Sequence, residues 1–125
     1  ERSKTLDELL RLHQASRTEC FAFAERLANS FSRTPDEVYE CLALWQVWWR
    51  DVLLIQAGCP ELVVNADRRP ALEAQTASVS LEAAGSFLHA LGLTVERLHQ
   101  NVNPRLALEA LMIELPTRHV AKRNG

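Results

Sequence analysis

Glycine is scarce in this chain: four residues of 125, standing alone at positions 58, 85, 92 and 125. They cannot make a phosphate-cradling loop, which needs several glycines close together so that backbone amides can approach the anion. Lysine is scarcer still, two residues against twelve arginines, a bias that reads as codon usage or thermal adaptation rather than a binding patch. With a formal net charge of −2 and a pI near 6.1, the chain has no general attraction for nucleic acid or anionic lipid. No apolar run approaches the roughly 18 residues of a membrane span, and no signal-peptide pattern is present. Cysteine is limited to Cys20, Cys41 and Cys59. An odd number with no close pair argues against a disulfide framework and for packed, free thiols in a reducing cytoplasm. No segment of real length alternates with period two, so a sheet has nothing to be built from.

What is present is 47% hydrophobic and 24% charged, ordinary for one folded domain able to bury about two-thirds of its unfolded surface. The first residue is Glu1 rather than Met, which points to a piece of something longer. Helix starts stand out. "TLDE" (Thr5–Glu8), "SRTE" (Ser16–Glu19) and "TPDE" (Thr34–Glu37) match the capping box, in which a hydroxyl and a glutamate satisfy two orphan amides reciprocally. Pro35 suits a first helical position. These signals predict helices over 6–14, 17–32 and 35–57, the last stopped by a left-handed Gly58 and by Pro60.

Residues 59–67, "CPELVVNAD", then form a connector with a short extended core at Leu62–Val64. Asp67 is placed to cap a helix over 68–77 and Ser80 to cap a longer one reaching about residue 100. That longer helix carries Leu81, Ala84, Leu88, Leu91, Val95, Leu98 and Val102 in one register through Gly92. Asn103 as cap and Pro104 in the first turn open a final helix over 104–115, closed by Pro116. The fold expected is all-α, a single bundle of five to six helices over 1–117, followed by a basic, flexible tail over 118–125.

Signals for chemistry are sparse. His13, His89, His99 and His119 show no i, i+4 pairing. Glu96 and His99 spell one Glu-x-x-His, but a di-iron bundle needs two such motifs and two further glutamates. There is no Gly-x-Ser-x-Gly, and no serine or cysteine has a context that would activate it. The expectation is therefore a non-catalytic chain with no metal and no cofactor. Two competing readings have cheap tests: elemental analysis for a small metal-dependent helical enzyme, and a salt-dependent mobility shift for a DNA-binding helical regulator.

Two helices have more to say. On 35–57, Val38, Leu42, Trp45, Trp49 and Val52 share a stripe, widened by Cys41, Trp48 and Ile55, which reads as core anchored by Trp45 and Trp49. Val47 and Leu54 point from the opposite face and are candidates for contact with another chain. Arg50 and Asp51 follow the tryptophans, and one of them is placed to pin the 59–67 connector, whose turn would otherwise hold unpaired amides. The final helix carries two apolar stripes, Leu108, Leu111 and Leu115 on one side and Leu106, Ala110 and Ile113 on the other, with Arg105, Glu109 and Met112 as its mixed, exposed edge. It either runs through the centre of its own bundle or turns its second stripe to a neighbour.

Three blocks in order, "WWRDVLL", "GCPELVVNADRR" and "NVNPRLALEALMIELP", together with the upstream "ERLA", resemble the C-terminal domain of the delta-prime subunit of the bacterial DNA polymerase III clamp loader. The resemblance spans most of residues 20–116; the related gamma/tau collar domain has the same architecture and is the alternative. It implies a cytoplasmic, non-catalytic collar domain that joins gamma/tau and delta subunits side by side in the DNA polymerase III holoenzyme. Contact with DNA would be indirect at most, and the ATP-binding and zinc modules of such subunits lie outside a domain of this kind. Asn101, Asn103 and Pro104 would set the angle between the last two helices, and Asn65 would belong to the structural set with Arg50 and Asp51. Val47, Leu54, Arg105, Glu109 and Met112 would form the subunit interface.

Overall fold

The computed structural model describes residues 2–116. Among them are six α-helices, two 3-10 turns and no strand. The helices are α1 (Arg2–Leu12), α2 (Arg17–Phe31), α3 (Pro35–Gln56), α4 (Arg69–Ser78), α5 (Leu81–His99) and α6 (Pro104–Ile113). The expected basic tail, 118–125, lies outside the described residues. No helix among them is long and apolar enough to cross a membrane.

Helix α3 is the hub, with α1, α2, α4 and α5 all packed against it, while α6 lies on α2 and α5. Its sequence explains this. Val38, Leu42, Trp45, Trp49 and Val52 are buried as one stripe, and Cys41 and Trp48 widen it, with Ile55 half-buried. A buried tryptophan removes roughly 150–250 Å² from water, about 4–6 kcal/mol of gross hydrophobic stabilisation at about 25 cal/mol per Å². Trp45 meets Phe87 of α5 edge-on at 5.1 Å and Phe23 of α2 at 6.4 Å, so one ring ties three helices together.

Of the three expected capping boxes, one forms. Ser16 Oγ accepts from the Glu19 amide at 3.1 Å, and Glu19 Oε1 accepts from the Ser16 amide at 2.9 Å. Thr5 caps nothing, because α1 already runs from Arg2 and its amides there are paired within the helix. Thr34 does precede α3, but its hydroxyl donates back to the Ser30 carbonyl at 3.2 Å, completing the end of α2 instead. Pro35, Asp36 and Glu37 then start α3 through ring geometry and favourable charge at the positive helix end.

The stop after α3 is as expected. Gly58 is left-handed at φ 83°, its amide donates to the Ile55 carbonyl at 3.0 Å, and the Cys59 amide donates to the Leu54 carbonyl at 2.8 Å. The connector departs from expectation: Leu62–Val64 is not an extended core. Pro60–Leu62 and Ala66–Arg68 are 3-10 turns, and only Val63 packs inward, leaving Leu62 and Val64 exposed. Nor does Asp67 cap α4. It sits inside the second turn, which runs straight into α4 with no side-chain cap.

Helix α5 is continuous through Gly92 and capped by Ser80, whose hydroxyl accepts from the Ala83 amide at 3.0 Å. Its buried face is rotated from the expected stripe: Ala84, Phe87, Leu91, Thr94 and Leu98 are buried, while Leu88 and Val95 are half-buried and Leu81 and Val102 exposed. Phe87 sets the rotation by wedging against Trp45 and Trp49, the latter at 5.6 Å. Thr94 tolerates burial because its hydroxyl bonds the Ala90 carbonyl at 2.8 Å.

Candidate functional site

The turn from α5 to α6 is built by two asparagines. Asn101 is left-handed at φ 63°, which lets the Val102 amide donate to the Arg97 carbonyl at 3.0 Å and closes α5. Asn103 Oδ1 accepts from the Leu106 amide at 3.2 Å and opens α6, with Pro104 in its first turn. The chain therefore reverses within a few residues and lays α6 on α2 and α5.

Helix α6 does not run through the bundle centre. Ala107, Leu108, Leu111, Met112 and Leu115 are buried, while Leu106 keeps 63% and Ile113 62% of their surface exposed, with Ala110 half-buried between them. The second apolar stripe is thus outside. Arg105 flanks it, bonded to Glu109 at 3.1 Å and 4.0 Å from Glu25 of α2; both carboxylates raise its pKa, so it stays cationic. Exposed pairs of this kind contribute little stability. Met112 is not part of the exposed edge: at 6% exposure it faces α2 and α5 with the core stripe, one position round the helix from the expectation. Arg105 is exposed and Glu109 half-buried.

Val47 and Leu54 are half-buried rather than projecting freely. Val47 lines an open groove of about 670 Å³ between α1, α2 and α3. Phe23, Leu27, Leu44 and Val47 supply its apolar surface, and the Arg26–Glu8 ion pair at 2.6 Å closes one side. Leu54 lies near the α3 stop, where its carbonyl receives the Cys59 amide.

Of Arg50 and Asp51, it is Asp51 that holds the connector. Arg50 points to solvent, while the fully buried Asp51 carboxylate accepts from the backbone amides of Val64 and Asn65 and from Asn65 Nδ2, at 3.0, 2.8 and 2.8 Å. Arg68, just beyond, bonds Asp7 at 2.7 Å and Ser3 Oγ at 2.8 Å and ties the connector to α1.

No three of the His, Cys, Asp and Glu side chains gather as a metal-holding group among the described residues. The three cysteines are free thiols. Burial, with a smaller push from Glu8, raises the Cys41 thiol to about 11, well away from nucleophilic thiolate. His13, which no local sequence pattern marks as buried, lies among Trp45, Trp49 and Phe87. Trp45 Nε1–H donates to its Nε2 at 3.5 Å, which leaves the proton on Nδ1. Desolvation lowers its pKa from 6.5 to about 4. The Pro116 carbonyl opposes the shift only in part, because no hydrogen bond of normal geometry reaches Nδ1.

Compared with protein-family models, curated proteins and solved structures, the chain matches none.

Proposed function

We propose that the chain is a non-catalytic oligomerisation domain, the collar of a clamp-loader subunit, that holds its neighbours side by side during loading of the sliding clamp. The observation that carries this reading is the outer stripe of α6. Leu106 and Ile113 stand almost two-thirds exposed on a helix whose other face is locked into the core. A contiguous apolar ridge on a firmly held helix suits burial against another subunit better than exposure to water. The resemblance of "WWRDVLL", "GCPELVVNADRR" and "NVNPRLALEALMIELP" to the delta-prime collar supports the assembly named. Delta-prime and gamma/tau collars share this architecture, so the reading reaches the assembly before the subunit. Its neighbours would be gamma/tau and delta, and its acidic net charge favours protein over DNA as the partner.

The test is reconstitution. The full-length protein is mixed with gamma/tau and delta and resolved by gel filtration, beside a Leu106→Glu, Ile113→Gln variant. Co-elution of the parent, lost in a variant with an unchanged thermal melt, is the expected result. A parent that stays out of the loader, or a variant that enters equally well, overturns the reading.

A further inference from the structure

The rings of His13 and Trp49 meet edge to face at 5.1 Å inside the bundle, cut off from solvent: His13 keeps 4% of its surface exposed and Trp49 none. Neither His13 Nδ1 nor Trp49 Nε1 has a hydrogen-bond partner among the described residues. The two cannot satisfy each other. An indole nitrogen only donates. The imidazole Nε2 accepts from Trp45, so the proton sits on Nδ1 and that nitrogen donates as well.

Buried donors without an acceptor are rare in folded proteins, and here two occur on adjoining rings. The rings themselves offer little relief. In an edge-to-face pair only one ring turns its edge to the other's face, so at most one N–H can point into its partner's π cloud. Phe87, edge-on to both rings at 6.5 and 5.6 Å, has only a π face to offer, and such contacts are weaker than a bond to oxygen. The Pro116 carbonyl acts on the imidazole but makes no hydrogen bond of normal geometry to Nδ1. What the pair lacks is an acceptor with two free lone pairs.

We infer that one water molecule is bound here, its oxygen accepting from His13 Nδ1–H and Trp49 Nε1–H, and one of its protons donated to the Pro116 carbonyl. Three hydrogen bonds are the usual complement of an internal water. An anion would also accept twice, but no charged group acts on His13, and an uncompensated ion costs far more to bury than a neutral molecule. The water completes a hydrogen-bonded chain from the Trp45 indole through the imidazole to the end of α6. That helix packs on α2 and α5, and the water fastens its exit to α3 and to the α1–α2 turn as well. The site lies inside the bundle and is independent of how the outer face of α6 is used.

Solution NMR of the purified chain tests this through cross-relaxation between water and the two buried N–H protons. A long-lived internal water gives cross peaks that change sign between laboratory-frame and rotating-frame Overhauser spectra, whereas proton exchange gives peaks that do not. The expected result, at neutral pH, is a sign-changing water cross peak at both Trp49 Hε1 and His13 Hδ1. Trp49→Phe assigns the indole peak by removing it; if that variant fails to fold, selective labelling of the parent does so. A crystal structure of the same chain gives a second reading, in which a density peak should lie about 2.7–3.2 Å from both nitrogens. Where solvent exchange hides either proton, the crystal decides. No water cross peak at the indole, or one at only a single proton, overturns the bridge. So does a crystal in which a protein carbonyl or a ring face meets these nitrogens instead. An anomalous signal at the site in bromide-soaked crystals would make the occupant an anion and overturn its assignment as water.

Discussion

Asp51 grips Asn65 twice: one carboxylate oxygen accepts from both the backbone amide and the side-chain amide of Asn65, each at 2.8 Å. The other oxygen takes the Val64 amide at 3.0 Å. The two residues are fourteen apart, and between them the chain leaves α3, turns at Gly58 and makes its first 3-10 turn. A loop of this kind carries backbone groups that no helix satisfies, and a buried carboxylate from the neighbouring helix supplies the acceptors.

Asp51→Ala removes all three bonds and leaves donors facing a void, so it should destabilise the fold by about 2–4 kcal/mol. Asp51→Asn keeps one acceptor oxygen but turns an NH₂ towards a donor, and should cost about half as much. Chemical denaturation measures both. Hydrogen exchange should show the Val64 and Asn65 amides losing protection before those of α3. Equal midpoints for parent and Asp51→Ala would mean that the connector holds itself.

The six helices were legible because apolar periodicity at helical spacing is written along them, on two faces in α6, and several ends carry local signals. Ser16 with Glu19, Gly58, Ser80 and Asn103 act as their types suggest. What misled was local chemistry with more than one local use. Thr34 has the right sequence for a cap but spends its hydroxyl on Ser30, and Asp67 is absorbed into a 3-10 turn. Rotations of a helix by one position are equally invisible in a periodic sequence. Phe87 and Thr94 replace Leu88 and Val95, and Met112 goes inside, because contacts from other helices choose among adjacent apolar positions. Asp51 was legible as one of a pair beside an unsatisfied loop. The place of His13 depends on rings at positions 45, 49 and 87, and the groove on three helices at once, so neither leaves a local trace.

His13 makes stability depend on pH in a definite direction. It is held neutral in the fold, with its pKa lowered from 6.5 to about 4, so the unfolded chain takes up its proton first as pH falls. Stability from this residue is whole above pH 6.5 and declines as pH drops towards 4, by about 1.4 kcal/mol per unit well inside that window. Between pH 7 and 5, ahead of most carboxylate titration, the loss should be about 1–2 kcal/mol. Denaturation midpoints across that range measure it, with His13→Gln as the comparison. The variant is less stable at pH 7 but should have a flatter profile. Parallel profiles would show that His13 is not the titrating group.

Two left-handed positions carry different residues, Gly58 after α3 and Asn101 after α5. A side chain at Gly58 meets nothing within 4 Å, so the cost of Gly58→Ala is conformational alone, about 1–2 kcal/mol. Asn101→Gly should be neutral or slightly stabilising, whereas Asn101→Val should cost about 1 kcal/mol or more, since a β-branched residue is poorly suited to that region. Thermal melts of the three variants give the ranking. A tolerated Asn101→Val would mean that the α5–α6 turn can close in another conformation.

The two faces of α6 give the sharpest contrast. Met112 is buried beside Leu108 and Leu111, and Leu106 is largely exposed beside Ala110, although both lie on a ten-residue helix. Met112→Glu puts a carboxylate into a buried, apolar position and should destabilise by about 3 kcal/mol or more. Leu106→Glu places the same charge in water, in the first turn, where a carboxylate favours the positive helix end; its effect on the isolated chain should stay within about 0.5 kcal/mol. In an assembly the order reverses in meaning: the harmless Leu106→Glu becomes the damaging change, because the ridge is then what a neighbour must cover. Melting temperature and assembly are therefore read on the same two proteins. Early melting of Leu106→Glu would move Leu106 into the core and remove the ridge on which the collar reading stands.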